Sequence, residues 1–294
     1  MESEVFKIKH KKSKKVFSLK AIKYKKGQKR NYAEFNILNK LKNKNIIEVF
    51  SIIQNKKENC DLIIMELGNH GNIRDFQKKL IKQNYLSESL LCFFTFQLLN
   101  ALNYCYKCHV AHLDLKPQNI VIDEYLNVKL IDFSISLDYS KIKSEEIKLS
   151  LCGTNFYIAP EILFSKSIKI KDLNKCDLYS LGIILYYLAF GYFPFDLKAE
   201  DAKNYEKIRE KRKAKELEID NEGDYYSTHF IDFIKKLLEK NIAKRININE
   251  ALNHYWIQGG KILFDEKEKI FNASNFLGYL ITDHIHNFNN YIKK

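Results

Sequence analysis

Proline is scarce in this 294-residue sequence. There are three, each inside a short distinctive string: Pro117 in Asp-Leu-Lys-Pro-Gln-Asn, Pro160 in Ala-Pro-Glu and Pro194 in Phe-Pro-Phe. So few breakers leave most of the chain beyond residue 68 free to form long regular segments. Glycine is sparse as well, ten in all, and none precedes Gly27. A glycine-rich phosphate loop in the opening residues is thereby excluded. No apolar run reaches the ~20 residues that a membrane-spanning helix needs. The longest, Leu181 to Phe195, is interrupted by Gly182 and Gly191 and reads as a buried helix. A secretory hydrophobic region is missing too, so the six cysteines read as free thiols of a reducing compartment, cytoplasm or nucleus. In such a compartment the Asn272-Ala273-Ser274 sequon carries no meaning.

Acidic excess is absent: 49 Lys and Arg against 36 Asp and Glu leave a formal net charge of +13. The lysines are scattered, in runs such as Lys11-Lys12-Ser13-Lys14-Lys15 and Lys25-Lys26, and no nucleic-acid reader motif accompanies them. Nucleic acid is therefore not an expected partner. A hydrophobic content of 46% with 29% charged residues belongs to a soluble globular chain. Its length suits one large domain or two lobes around a cleft.

Short β-branched and apolar runs fill the first part of the chain: Val5–Lys9, Val16–Lys23, Ile46–Ile53 and Leu62–Met65. One helical stretch, Tyr32–Leu41, lies among them, which predicts a small sheet with one helix. From Gly68 the pattern turns helical. Ser87 is placed as an N-cap, and Leu90, Leu91, Phe94, Leu98, Leu99 and Leu102 recur at helix spacing as far as Cys105. Val121–Ile122 and Val128–Ile131 predict a hairpin. The segment Ala199–Lys215 offers no apolar stripe and reads as a solvated helix with its loop. Cys105-x-x-Cys-His109 fits a haem-attachment spacing, but it ends a core helix without an export signal, and the structural reading is preferred.

Two strings carry chemistry: His112-Leu113-Asp114-Leu115-Lys116-Pro117-Gln118-Asn119, and Asp132-Phe133-Ser134. They resemble the catalytic loop and the metal-binding motif of the protein kinase family. Phe17-Ser18-Leu19-Lys20 resembles its third-strand lysine motif, and Glu34 its helical ion-pair partner. Met65-Glu66-Leu67 resembles the segment joining the lobes. Gly153-Thr154, Ala159-Pro160-Glu161 and Asp177-Leu178-Tyr179-Ser180-Leu181-Gly182 follow in the family's order. The matches run unbroken over residues 2–258, and it is their shared order that makes them specific.

The resemblance implies an α+β, two-lobed kinase fold. It has a small β-sheet N-lobe lacking its first strand (1–67), a larger helical C-lobe (68–258) and a C-terminal tail (259–294). It further implies transfer of the γ-phosphoryl group of ATP, with Mg²⁺, to Ser or Thr of protein substrates. Asp114 would accept the hydroxyl proton, and Lys116 would offset charge on the transferred group. Asn119 and Asp132 would hold the metal. Val5, Ser18, Lys20, Glu34, Met65, Glu66 and Leu67 would surround the nucleotide, and Glu161 would pair with Arg245. His112 would pack rather than act as a base.

Four departures follow. Ser3 stands where the family's last loop glycine would be, and two accounts fit: a chain start that omits an upstream strand, or a kinase without one. A catalytically silent binding module stays open as a second reading for the same reason. Leu113 replaces the arginine that reads an activation-segment phosphate, and Ser134 replaces a glycine. Finally, the acidic positions by which basophilic relatives bind arginine are occupied by Asn72, Gln118 and Tyr187. None is a carboxylate, so no bidentate guanidinium site remains there. A degenerate peptide library phosphorylated by the chain should accordingly select no Arg two or three residues before the acceptor. Strong Arg enrichment there would overturn this expectation.

Overall fold

The computed structural model describes residues 2–25, 32–55, 57–80, 86–164, 166–220 and 225–269. Gly27 and the apolar tail residues Phe271, Phe276, Leu277, Leu280, Ile281 and Ile285 lie outside them.

Alternating residues set the N-terminal layer. Strands β1 (Glu2–Lys9), β2 (Val16–Lys23), β3 (Val49–Asn55) and β4 (Cys60–Met65) form an antiparallel sheet in the order β1-β2-β4-β3. Helix α1 (Ala33–Lys40) sits between β2 and β3 in the chain. The register puts Val5 opposite Lys20, Lys20 opposite Ile63, and Ser18 opposite Met65. With side chains alternating at period two, Val5, Ser18, Lys20, Ile63 and Met65 therefore share one face. The predicted third strand, Ile46–Ile53, begins later. Ile46 and Ile47 are buried, and Ile46 bridges in parallel to Leu130 of the second lobe, so the C-lobe core claims them.

The second lobe opens with β5 (Gly71–Asn72), α2 (Ile73–Leu80) and α3 (Glu88–Lys107). Ser87 caps α3 by accepting the Leu90 N–H. Strands β6 (Val110–Ala111), β7 (Ile120–Ile122), β8 (Val128–Leu130) and β9 (Leu137–Asp138) follow, β7 and β8 making the predicted hairpin. Then come β10 (Glu146–Lys148), α4 (Pro160–Leu163), β11 (Ser167–Lys169) and α5 (Leu173–Phe190). Helices α6 (Tyr205–Ala214), α7 (Thr228–Leu237), α8 (Ile248–Leu252) and α9 (Tyr255–Lys269) complete the described chain.

The apolar run read from the sequence as a helix to Phe195 stops at Gly191. That residue takes φ +79 and donates its N–H to the Tyr187 carbonyl, the usual left-handed helix stop. Helix α9 runs through Gly259 without a break and packs on α3, with Phe264 against Phe93 and Phe96. This is the two-lobed α+β architecture that the resemblance implies. Among the described residues no helix is long and apolar enough to cross a membrane.

Segment 199–215 departs from its solvated reading. A 3-10 turn at Ala199–Lys203 leads into α6, where Ile208 and Arg212 are buried. Arg212 is drawn inward because its guanidinium donates to the carbonyls of Phe156 and Ile158.

The anticipated Glu161–Arg245 pair forms in the core as a two-pronged contact at 2.7 and 2.9 Å, and Arg245 also donates to the Lys175 carbonyl at 2.8 Å. Its side chains are 0% and 3% exposed, so removing either partner strands a charge away from water. Arg245→Ala and Glu161→Ala should each cost about 3–5 kcal/mol in urea unfolding. The exposed Lys236–Asp232 pair is the control, and Lys236→Ala should cost under about 1 kcal/mol. Equal losses at both places would refute the assignment.

Candidate active site

The loop between β6 and β7 carries Asp114, and a buried carboxylate behind it sets its shape. Asp177 of α5 accepts the backbone N–H of His112 and of Leu113, both at 2.8 Å, and the Tyr106 hydroxyl at 3.2 Å. Burial pushes the Asp177 carboxyl above its usual range, against the pull of those donors. Leu113 adopts φ +65, a conformation that a branched side chain rarely takes, and these bonds hold it there. Gly153, at φ +95, lies against this turn: a Cβ on it would come within 2.7 Å of the Leu113 carbonyl oxygen. His112 is fully buried. Its ring faces Phe133 at 4.7 Å, its Nε2 meets the Ile131 carbonyl at 3.0 Å and its Nδ1 accepts the Asp114 N–H at 3.2 Å. Both ring nitrogens are thus committed to backbone.

Around the Asp114 carboxylate three donors converge. Lys116 Nζ donates to Oδ2 at 2.6 Å, Asn119 Nδ2 to Oδ2 at 3.1 Å, and Thr154 Oγ1 to Oδ1 at 2.7 Å. Lys116 also reaches Thr154 Oγ1 at 3.0 Å, and Asn119 Nδ2 the Asp114 carbonyl at 2.8 Å. A carboxylate offers about four acceptor sites, so one remains for an incoming hydroxyl.

Lys20 joins the lobes. Its Nζ donates to both Glu34 oxygens, at 2.8 and 2.9 Å, and to Asp132 Oδ1 at 3.2 Å. Burial works to lower the Lys20 pKa, but the two carboxylates outweigh it and the net shift is upward. Asp132, at φ +62, is held below the usual carboxylate range: burial opposes, while Lys20, Ser134 and the Lys116 charge prevail. The Lys116 charge thus acts on both Asp114 and Asp132, which ties the two carboxylates into one site.

The remaining nucleotide-facing candidates are spread along the sheet. Val5 is 65% exposed at the sheet edge, while Ser18, Met65, Glu66 and Leu67 are half-buried. The Glu66 N–H goes to the Glu48 carbonyl at 2.9 Å, and its carboxylate pairs with Lys129 at 2.6 Å.

Sequence reading missed Asp177 as the holder of the loop and Thr154 as a partner of Asp114. Neither has a local signal, since the first lies 65 residues from the amide it binds and the second 40 from its carboxylate. Cys105 of the Cys-x-x-Cys-His string lies in the core, where burial pushes its thiol well up, and the His109 ring rests on Tyr139 at 5.6 Å. All six cysteines are free.

The protein kinase domain family matches residues 1–257. This chain belongs to the protein kinase family. Among similar proteins, calcium-dependent protein kinase 6 of Plasmodium berghei is 33% identical over 234 residues, 77% of this chain and 14% of that protein. CBL-interacting serine/threonine-protein kinase 12 of Arabidopsis thaliana is 31% identical over 232 residues, 77% and 43% of the two chains. NUAK family SNF1-like kinase 1 of Homo sapiens is 31% identical over 227 residues, 77% and 31%. The chain spans less than half the length of these relatives.

In this chain the segment after Asp132 is held by backbone pairing. Strands β10 and β11 pair Ile147 with the buried Ile168, Ser167 Oγ donates to Glu146 Oε2 at 2.8 Å, and the Ile170 N–H donates to the Glu145 carbonyl at 2.9 Å. Leu113 presents hydrocarbon where a guanidinium would bind phosphate. Phosphatase treatment should therefore leave the transfer rate within about twofold. A large loss restored by rephosphorylation at the exposed Ser144 or Ser150 would contradict this.

Proposed function

We propose that the chain is a protein Ser/Thr kinase that transfers the γ-phosphoryl group of ATP to hydroxyls of protein substrates. The observation that carries this reading is the Asp114 carboxylate held by Lys116, Asn119 and Thr154 beside the Lys20–Glu34–Asp132 junction. Asp114 is the group that orients the acceptor hydroxyl and takes its proton, because its oxygens are fixed and one acceptor site is open. Lys116 supplies positive charge within reach of that carboxylate, where negative charge builds on the transferred group. Lys20 is the cation for nucleotide phosphates, kept charged and aimed by Glu34. On the exposed face of the sheet's first strand, Val5 lines the nucleotide side with Ser18, and Met65, Glu66 and Leu67 provide the adenine-facing edge.

The donor set suits Mg²⁺. Asp132 is an anionic hard oxygen ligand. Asn119 has its nitrogen committed to Asp114, which leaves its oxygen for a cation. Bound Mg²⁺ would neutralise phosphate charge at these two residues. The domain proposed for this activity is residues 1–258, with α9 carrying the chain on to Lys269. The free thiols support a reducing compartment, cytoplasm or nucleus. The serine/threonine designation of the relatives supports the choice of acceptor.

Radiolabel from ATP should pass to a generic protein substrate in the presence of Mg²⁺. Asp114→Asn should cut the rate about 10²–10⁴-fold while leaving thermal unfolding in place. Binding of Mg-ATP by the native chain with no transfer at all would defeat the proposal in favour of a silent binding module.

A further inference from the structure

We propose that Arg74, lying over the ring of Tyr187, is a specificity residue that selects substrates with a carboxylate side chain near the phosphorylated Ser or Thr. The proposal rests on the kinase reading above. Its first support is a guanidinium with no counter-charge. Arg74 sits 5.2 Å from the centroid of Tyr187, half-buried, and among the described residues no carboxylate pairs with it. Its neighbour Asp75 is already engaged, accepting from Asn72 Nδ2 at 2.5 Å. Asn72 Oδ1 in turn accepts the backbone N–H of Arg74 and of Asp75, at 3.1 and 3.0 Å. The backbone of Arg74 is thereby pinned at the start of α2 while its charge stays unspent.

The second support is where that charge lies. Tyr187 stacks on Phe193 at 4.6 Å with rings 26° apart, and Phe193 meets Phe156 at 4.6 Å and Tyr157 at 5.6 Å. Phe156 and Tyr157 come just after Thr154, with Asn155 between, and the Thr154 hydroxyl is on Asp114. A continuous row of rings thus leads from the acceptor site to Arg74, and the Arg74 charge is close enough to act on the Tyr157 hydroxyl. Phe156 and Tyr157 are buried and Phe193 and Tyr187 half-buried, so a peptide seated with its hydroxyl at Asp114 would run over this row, supported from beneath, toward Arg74.

The chemistry of the contact matters. A guanidinium lying against an aromatic face keeps its in-plane N–H groups free, and those are the groups that grip a carboxylate in two parallel bonds. Lys78, exposed and one turn further along α2, adds charge of the same sign on that face. Gln118, exposed in the catalytic loop, is neutral, so it does not compete.

The test uses Ser peptides identical except that Glu, Ala or Arg is scanned through positions on both sides of the serine. With the native chain, Glu at one or more positions should raise kcat/KM about tenfold over Ala. Arg74→Gln should bring that Glu-to-Ala ratio close to one, and Arg74→Glu should move the preference at the same position to Arg. Arg74→Lys should keep part of the Glu advantage, because it keeps charge without the paired geometry. The same peptides with Ala at the acceptor position, read by fluorescence anisotropy, report the preference without any transfer. Arg74-dependent binding of the Glu peptide by a chain that transfers nothing would sink the kinase reading alone and uphold this one. Equal use and equal binding of the Glu, Ala and Arg peptides would overturn it. So would an Arg74→Gln variant that keeps the Glu advantage, or that slows all peptides alike.

Discussion

Everything at the site hangs on one buried carboxylate. Asp177 is taken out of water at the centre of the C-lobe, at a cost that only strong donors offset, and the donors it finds are the Tyr106 hydroxyl and two backbone N–H groups, of His112 and Leu113. Those two bonds fix the turn that presents Asp114. They also hold Leu113 in a left-handed conformation that costs on the order of 1–3 kcal/mol by itself. The turn then dictates its neighbour: only glycine fits over the Leu113 carbonyl, so Gly153 docks there, and Thr154 arrives at Asp114 as the next residue. One interaction in the core thus propagates through two backbone constraints to the geometry of the Asp114 carboxylate.

The polar groups that hold this site are buried in matched sets. Glu161 and Arg245 satisfy one another, and Lys20 is shared by Glu34 and Asp132 from opposite lobes. Arg212 is different, since among the described residues no carboxylate is in ion-pair contact with it. Carbonyls of Phe156 and Ile158 take its N–H groups, it lies 5.4 Å from the Tyr179 ring, and burial depresses its pKa. Its two terminal nitrogens span two carbonyls of one loop and hold that loop against α6. That loop is the one that carries Thr154.

The elements with local periodicity were legible from the sequence. The alternation of Val16–Lys23 gives a strand with the predicted bounds, and the apolar spacing after Ser87 gives α3 with its cap. Asp114, Lys116 and Asn119 lie within one short loop, so their spacing carries most of the site. What escaped is what tertiary contact decides. Ile46 and Ile47 look like strand residues, but the second lobe recruits them. Arg212 looks solvated in a charged stretch, because nothing local announces the carbonyls it will reach 54 and 56 residues away. Pairing across the sheet or across the lobes leaves no mark in a window of a few residues.

The segment between Asp132 and Pro160 shows how a chain without a phosphate-reading arginine can still hold this segment in place. Three kinds of contact hold it. Near its start, Leu137 and Asp138 pair with Ala111 and Val110. In its middle, Ile147 pairs with Ile168 in a short ladder whose backbone bonds need no charge. At its end, Asn155 Nδ2 donates to the Ala202 carbonyl, beside the clamp from Arg212. A phosphate–arginine anchor can be switched by adding or removing two negative charges, whereas backbone ladders and carbonyl clamps respond to neither. The burial of Leu113 belongs to the same logic, since it places hydrocarbon where the family's arginine would place charge. The structure is therefore built toward one standing arrangement of the segment, which carries Thr154 to Asp114.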